Sequence, residues 1–332
     1  MHTMYKKFAS NLRCPTCKKT LKLKVLGEGK KEDILEGMLS CEKCETVFPI
    51  QKGIPRFVPL ENYAASFGMQ WNMFSDTQLD SVNETKISED RFFEQTQWPR
   101  KMDGQKILEA GCGMGRFSEI ALSTEAECYS LDYSTAVDAA RKNMKKNPNH
   151  CLVQASIYEI PFPKAFFDKI FCFGVLQHTP NVEKTFKSLE PYLKPGGELV
   201  IDVYAAPVSW FHPRQILRPF TKRMNAKFLF KMVKIMAVPL LKISNVVAAI
   251  PKVGDVLRHA VPIANYKGRY KLTKKQIKEW AILDTFDWLS PEYEQPQRAA
   301  TIERWFHESG FPDVHVERNV GIYIARATKP KA

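Results

Sequence analysis

The stretch Lys106-Ile-Leu-Glu-Ala-Gly-Cys-Gly-Met-Gly-Arg116 restricts what this chain can fold into more than any other. Ile107, Leu108 and Ala110 form a short apolar run ending in glycines, the pattern of a buried parallel strand that enters a tight turn. Gly111, Gly113 and Gly115 leave the backbone without Cβ atoms, so a ligand can lie directly against it. Arg116 to Leu122 then starts a helix whose free N–H groups point back at the turn. Such a unit suits a nucleotide-like ligand. A dinucleotide fingerprint needs a small residue where Arg116 stands, so that ligand class does not fit. Glu109, two residues before the first glycine, is expected beside the ligand, where a carboxylate repels pyrophosphate and attracts an ammonium group.

Glu127 to Leu131 reads as the next strand, closed by Asp132, which follows Gly111 by 21 residues. A carboxylate about 20 residues past the glycine turn holds a ribose diol in doubly wound folds. Glu109, the three glycines and Asp132 together resemble the class I S-adenosylmethionine-dependent methyltransferases. The competing interpretation is a glycine-rich turn of some other α/β protein. The resemblance implies a Rossmann-like, seven-stranded methyltransferase sheet with helices on both faces. It also implies S-adenosylmethionine as cofactor, bound by Glu109, Gly111, Gly113, Gly115 and Asp132. Where the family usually has an Asp for the adenine amino group, this chain has Ala155-Ser-Ile-Tyr158; Ser156 is the polar residue there, and the Ile157 N–H remains available.

Near the start, Cys14-Pro-Thr-Cys17 and Cys41-Glu-Lys-Cys44 form two Cys-x-x-Cys pairs with 23 residues between them. Four thiolates so arranged make a closed tetrahedral zinc site, and four cysteines point to a structural one. Leu21 to Val25 alternates like a strand, Gly27 and Gly29 turn, and Met38-Leu39 can return as its partner. A ribbon this small draws much of its folding energy from the metal. A redox role is the rival and would need only one pair. With Val47 to Pro55, the segment resembles the zinc ribbon that accompanies some methyltransferases, including a tRNA-methyltransferase activator subunit. The expected organisation is a ribbon over 1–58, a helical cap or linker over 59–104, and a methyltransferase domain over 105–332 with a helical insertion at about 205–297.

In the cap, Tyr63 to Trp71 is apolar at helical spacing; its aromatics are core or pocket lining, with Gln70 and Trp71 the pocket candidates. Beyond Asp132, a helix is expected over Thr135 to Lys146 with Ser134 as N-cap, a strand over Cys151 to Ala155 and another over Asp168 to Val175. His178 follows that strand at its carboxyl end, where open α/β sheets bind ligands. It is a candidate general base or acceptor-orienting group, or else a loop histidine bonded to backbone ahead of a helix near Asn181. Leu193 to Gly197 is a turn into a strand over Glu198 to Val203. A helix over Thr301 to Ser309 and a hairpin of Val314 to Arg318 with Ile322 to Arg326 finish the sheet.

The formal charge is +13, and residues 203–254 hold nine Lys or Arg and no Asp or Glu. Such an excess suggests nucleic acid, anionic lipid or a negatively charged substrate. Arg218, Lys222, Lys227, Lys231 and Lys234 recur near helical spacing among Phe and Met residues, like a basic amphipathic helix on an anionic membrane surface. The alternative is a lid packed on the sheet with a solvated basic face. Residues 284–297, dense in aromatics, carboxylates and amides, read as a loop lining a polar pocket.

Met1 to Ser10 lacks an apolar core of signal-peptide length, so reduced thiols and a cytoplasmic location are expected. Peripheral contact at the inner membrane surface would run through residues 214–242. The zinc-ribbon methyltransferases that this chain resembles imply methyl transfer without naming an acceptor. The favoured acceptor is a small molecule, glycan or lipid-linked intermediate, with rRNA or tRNA the alternative. A third possibility is a methyltransferase fold kept as a non-catalytic binding protein.

Overall fold

The computed structural model describes residues 4–26, 33–144, 146–206 and 213–331. Strands β1 (Met4–Tyr5) and β3 (Asp33–Ile34) pair with each other, while β2 (Lys22–Leu26), β4 (Glu36–Cys41), β5 (Thr46–Gln51) and β6 (Ile54–Pro55) form an antiparallel sheet in the order β2-β4-β5-β6. The expected pairing is present, with Leu23 opposite Leu39; the turn assigned to Gly27 and Gly29 lies outside the described residues. Leu39 and Cys41 of β4 are buried and Met38 and Ser40 are not, the period of two that a half-buried strand requires.

Helices α1 (Ala65–Met73), α2 (Asp80–Asn83) and α3 (Ile87–Thr96) lead to the main sheet. Its strands are β7 (Lys106–Ala110), β8 (Glu127–Asp132), β9 (His150–Gln154), β10 (Phe167–Cys172), β11 (Leu193–Tyr204), β12 (Val314–Asn319) and β13 (Ile322–Thr328), in the order β12-β13-β11-β10-β7-β8-β9. All neighbours from β9 to β11 are parallel, and β13 closes antiparallel on β11 and β12. The strand order reverses between β7 and β10, so their carboxyl ends open a crevice. The seven-stranded sheet finished by a hairpin is the expected one.

Helices α4 (Arg116–Ser123), α5 (Ala136–Asn143) and α6 (Val182–Lys187) cross between these strands. α5 is shorter than expected because the backbone becomes extended at Met144, whose side chain packs beside Gly115. Its N-cap position is Thr135; Ser134 accepts from the Ala136 N–H at 3.1 Å. Leu193 to Gly197 is not a separate turn but part of β11, and the register against β10 shifts between Phe167 and Lys169 to absorb it.

The insertion consists of α7 (Pro213–Thr221), α8 (Ala226–Ala248), α9 (Gly254–Leu257) and α10 (Lys274–Leu289), after which α11 (Ala299–Glu308) returns to the sheet. The expected single basic helix is two, broken where the Asn225 side chain accepts from Lys227 N–H at 3.0 Å and starts α8. Asp284 to Leu289, read as loop, is the end of α10, started by a reciprocal Thr273–Gln276 capping box.

The ribbon is docked on the edge of the main sheet. Phe57 N–H donates to the Gln154 carbonyl at 2.8 Å, extending β9 by one bridge. The buried Arg56 guanidinium donates to Gln154 Oε1 and to Asp138 Oδ1, both at 2.7 Å. Phe8 meets Tyr129 edge-on at 5.4 Å, so one apolar core runs from ribbon to sheet. The exposed edge of β9 is thereby covered.

Candidate active site

β7 runs buried through Ile107, Leu108, Glu109 and Ala110, then turns at Gly111 with φ +87°. A Cβ on Gly111 would stand 2.2 Å from Val175 Cγ2, and one on Gly113 would stand 3.3 Å from the Trp71 indole nitrogen. Close approach therefore requires Gly111, while at Gly113, which faces a cavity roofed by Trp71, the indole would have to give by a few tenths of an ångström. Gly115, φ +91°, sits at the N-cap of α4 and meets Met144 and Ala140 instead. It shapes the helix start and does not line the cavity.

Asp132 ends β8 beside this turn. Its Oδ2 accepts from the Gly113 N–H at 2.8 Å, and its Oδ1 accepts from Ser134 N–H at 2.8 Å and Ser134 Oγ at 2.7 Å. Burial raises its pKa, and these hydrogen bonds oppose the rise. The carboxylate is held toward the cavity with lone pairs to spare.

Glu109 is placed differently from its expectation. It is 2% exposed and lies behind the turn, not among the cavity residues. One oxygen accepts from Ser130 Oγ at 2.8 Å and from Ser118 Oγ in a short bond. It therefore ties β7 to β8 and to α4. Burial pushes its pKa up to about 7 against those bonds.

The cavity has a volume of about 590 Å³, within the usual range for small-molecule sites. Gly111, Gly113, Asp132, Ile157, Trp71 and His178 all line it; Ser156 does not, and its Oγ accepts from Tyr158 N–H at 3.2 Å. Gln70 lies one layer out, donating to Asp287 Oδ1 at 3.4 Å.

His178 stands in a short 3-10 turn after β10, 6% exposed, with its ring against Phe67 and Tyr204. Nδ1 is 3.0 Å from the Tyr293 carbonyl, which can only accept, so Nδ1 carries the proton and Nε2 keeps its lone pair. Burial pulls its pKa down to about 4. The imidazole is neutral near pH 7.

The far wall includes part of the stretch expected to line a polar pocket, 284–297, although it does so from helix α10 and not from a loop. Asp284 and Asp287 share a face of α10 with Trp280 and Trp288 and reach the same cavity. Tyr266 donates a short bond to Asp284. Burial pushes Asp284 up to about 7 and Asp287 up to about 6. Arg116 donates to Ser88 Oγ at 2.8 Å and to Gln78 Oε1 at 2.9 Å and lies over the Trp280 ring. Arg91 pairs with Asp202 at 2.6 Å. The acids and aromatics of residues 284–297 signalled this wall in the sequence; Tyr266 and Trp280, outside that stretch, carried no such signal.

Away from the cavity, the Sγ atoms of Cys14, Cys17, Cys41 and Cys44 lie within 4.8 Å of one another. A tetrahedron with Zn–S bonds of about 2.3 Å has edges of about 3.8 Å, so the four thiols fit zinc. Each knuckle is completed by a left-handed residue after its second cysteine, Lys18 (φ 60°) and Glu45 (φ 53°). A pair acting alone in redox chemistry does not need this four-sided arrangement.

Residues 108–201 match the family described as Methyltransferase domain, and residues 6–53 match that described as Trm112p-like protein. The demethylmenaquinone methyltransferase of Tropheryma whipplei is 26% identical over 117 residues, covering 35% of this chain and 46% of that protein. The ubiquinone biosynthesis O-methyltransferase of Azoarcus sp. is 34% identical over 98 residues, covering 28% and 42%. The tRNA U34 carboxymethyltransferase of Campylobacter curvus is 28% identical over 104 residues, covering 30% and 35%. The chain thus spans less than half the length of each of these relatives.

Proposed function

We propose that this chain, which joins a Trm112p-like ribbon to a class I S-adenosylmethionine-dependent methyltransferase domain, transfers a methyl group to a small-molecule, glycan or lipid-linked acceptor. The observation that carries methyl transfer is Asp132, held by the Gly113 amide at the end of β8, next to the strand at which the sheet order reverses, on the cavity wall. Within it, residues 1–58 are the ribbon, 59–104 the cap, and 105–332 the transferase with its insertion. Asp132 would hold the ribose diol, Gly111 and Gly113 would let the cofactor lie on the backbone, and Ile157 would sit at the adenine. Glu109, Gly115 and Ser156 would act by shaping that surface from behind. The bound cofactor supplies an electrophilic methyl on a sulfonium.

Because that methyl is already activated, the chain's part is mostly placement and exclusion of water. Trp71 covers the glycine turn, and His178 presents a neutral Nε2 that can accept a hydroxyl proton or orient an acceptor. The far wall, with Asp284, Asp287, Tyr266 and Trp280, supplies hydrogen-bond acceptors and aromatic faces suited to a polar small group.

RNA methylation is the second reading, supported by the Trm112p-like match and by the tRNA-modifying relative. Against it, Gln177-His-Thr-Pro180 stands where many base-amino methyltransferases carry Asn/Asp-Pro-Pro-Tyr/Phe. The test is transfer of a labelled methyl group from S-adenosylmethionine into separated lipid, glycan and RNA fractions. Label in the lipid or glycan fraction, lost with Asp132→Ala, is the expected outcome; label confined to RNA selects the second reading.

A further inference from the structure

α8 presents two opposite faces. Leu229, Val233, Ala237 and Leu241 are buried and pack in the insertion's core with α10. On the other side Phe228, Met232, Ile235, Ile243 and Val246 are 56%, 40%, 63%, 50% and 72% exposed. With Pro239 between them they step by four, three, four, four and three residues, which at 3.6 residues per turn is one straight stripe. A helix that rests on its own core has no need of such a stripe, and an exposed apolar surface of this extent marks a contact site.

The charges say what kind of contact. Lys227, Lys231, Lys234 and Lys242 are exposed and lie along one flank of the stripe. Lys222 and Arg223 add to them at the bend before α8. Arg214 and Arg218 do not belong to this surface: they turn inward to Glu294 at 3.6 Å. A second copy of the chain would set lysine rows against the stripe with no carboxylate from either helix to pair with them. RNA would match the lysines and leave the Phe228–Val246 stripe in water. No helix among the described residues is long and apolar enough to cross a membrane.

We propose that α8 lies in the surface of an anionic lipid bilayer, its Phe228–Val246 stripe among the upper acyl chains and its lysine flank at the headgroups. Lysine stems can lie along the apolar boundary while their ammonium groups reach the phosphates. α8 packs on α10, and α10 carries Trp280, Asp284 and Asp287 into the cavity wall. Docking therefore brings the cavity to within one helix layer of the membrane. The inference does not depend on the reaction, since it is measured without cofactor or acceptor.

The experiment is co-sedimentation of the full chain with large vesicles of phosphatidylcholine, with and without phosphatidylglycerol. The wild type is expected to bind only the vesicles that contain phosphatidylglycerol. Phe228→Ser with Ile235→Ser should weaken binding about tenfold or more, and each of Lys227→Gln, Lys231→Gln and Lys234→Gln about fivefold. All five positions are exposed, and unchanged thermal unfolding would show that the variants fold. Equal binding to both vesicle types, or no effect of the paired serine variant, would overturn the proposal. So would a dimer that the serine variant dissociates, or RNA binding with no lipid binding.

Discussion

The Asp132 carboxylate accepts the Gly113 amide proton at 2.8 Å, so the acid that ends β8 and the turn that leaves β7 are set as one unit. Ser134 holds the other oxygen from the first residues after the strand. This carboxylate of the cavity wall is therefore positioned before any ligand arrives, which lowers the ordering cost of binding.

The two left-handed glycines on either side of β7 should differ in sensitivity. Gly104 (φ +75°) has open space where a Cβ would stand, while Gly111 (φ +87°) has Val175 at 2.2 Å. Gly104→Ala should cost about 1–2 kcal/mol, the left-handed backbone alone. Gly111→Ala should cost about 3 kcal/mol or more, because overpacking adds to that strain. Urea unfolding of the two variants measures the difference, and equal costs would mean that Val175 yields freely.

Glu109 gives a pH signature of stability. Its folded pKa, about 7, lies above the usual carboxyl value near 4.5. The folded chain therefore binds a proton that the unfolded chain has released, and stability falls as pH rises from about 4.5 through about 7. Glu109→Gln should flatten this part of the profile, measured by denaturant midpoints from pH 4.5 to 8. Identical slopes in both proteins would remove Glu109 as the source.

The parts of the site that depend on spacing along the chain were legible in its sequence: the glycine turn, Asp132, and four cysteines in two pairs. What depends on a side chain's direction was not. β7 is buried on both faces, so its pattern does not tell which way Glu109 points; Ser118 and Ser130, from α4 and β8, decide that. The insertion misled in a similar manner. Arg218 and Lys222 continue a helical spacing into Lys227, but the chain breaks at Asn225, whose capping outweighs the periodicity. Arg214 and Arg218 count as surface charge in the sequence, yet Glu294 draws both inward.

Zinc removal should unfold more than the ribbon's own strands. Leu39, Phe48 and Phe8 share a core with Tyr129 and Phe162 of the main domain. One zinc per chain by elemental analysis, lost in Cys41→Ser together with a lowered Tm, is the expected result. A metal-free protein with an unchanged Tm in that variant would contradict a structural site.

His178 should stay neutral well below pH 7. Its folded pKa, about 4, lies under the usual histidine value near 6.5. Below about pH 6.5 the unfolded chain takes up a proton that the folded chain refuses, so stability falls as pH drops from there toward 4. Nitrogen chemical shifts should report a neutral ring with its proton on Nδ1 down to about pH 5. A ring that titrates near pH 6.5 would contradict its burial, and a proton found on Nε2 would contradict the bond to the Tyr293 carbonyl.

The central claim is that the cavity at Gly111, Gly113 and Asp132 binds S-adenosylmethionine. Calorimetric titration with S-adenosylmethionine and with S-adenosylhomocysteine, on wild type and Asp132→Ala, tests it most directly. Micromolar binding to both is predicted, weakened about 10- to 100-fold in the variant by loss of a charged hydrogen-bond acceptor. No binding to either by a folded wild type, or the same affinity in both proteins, would contradict it.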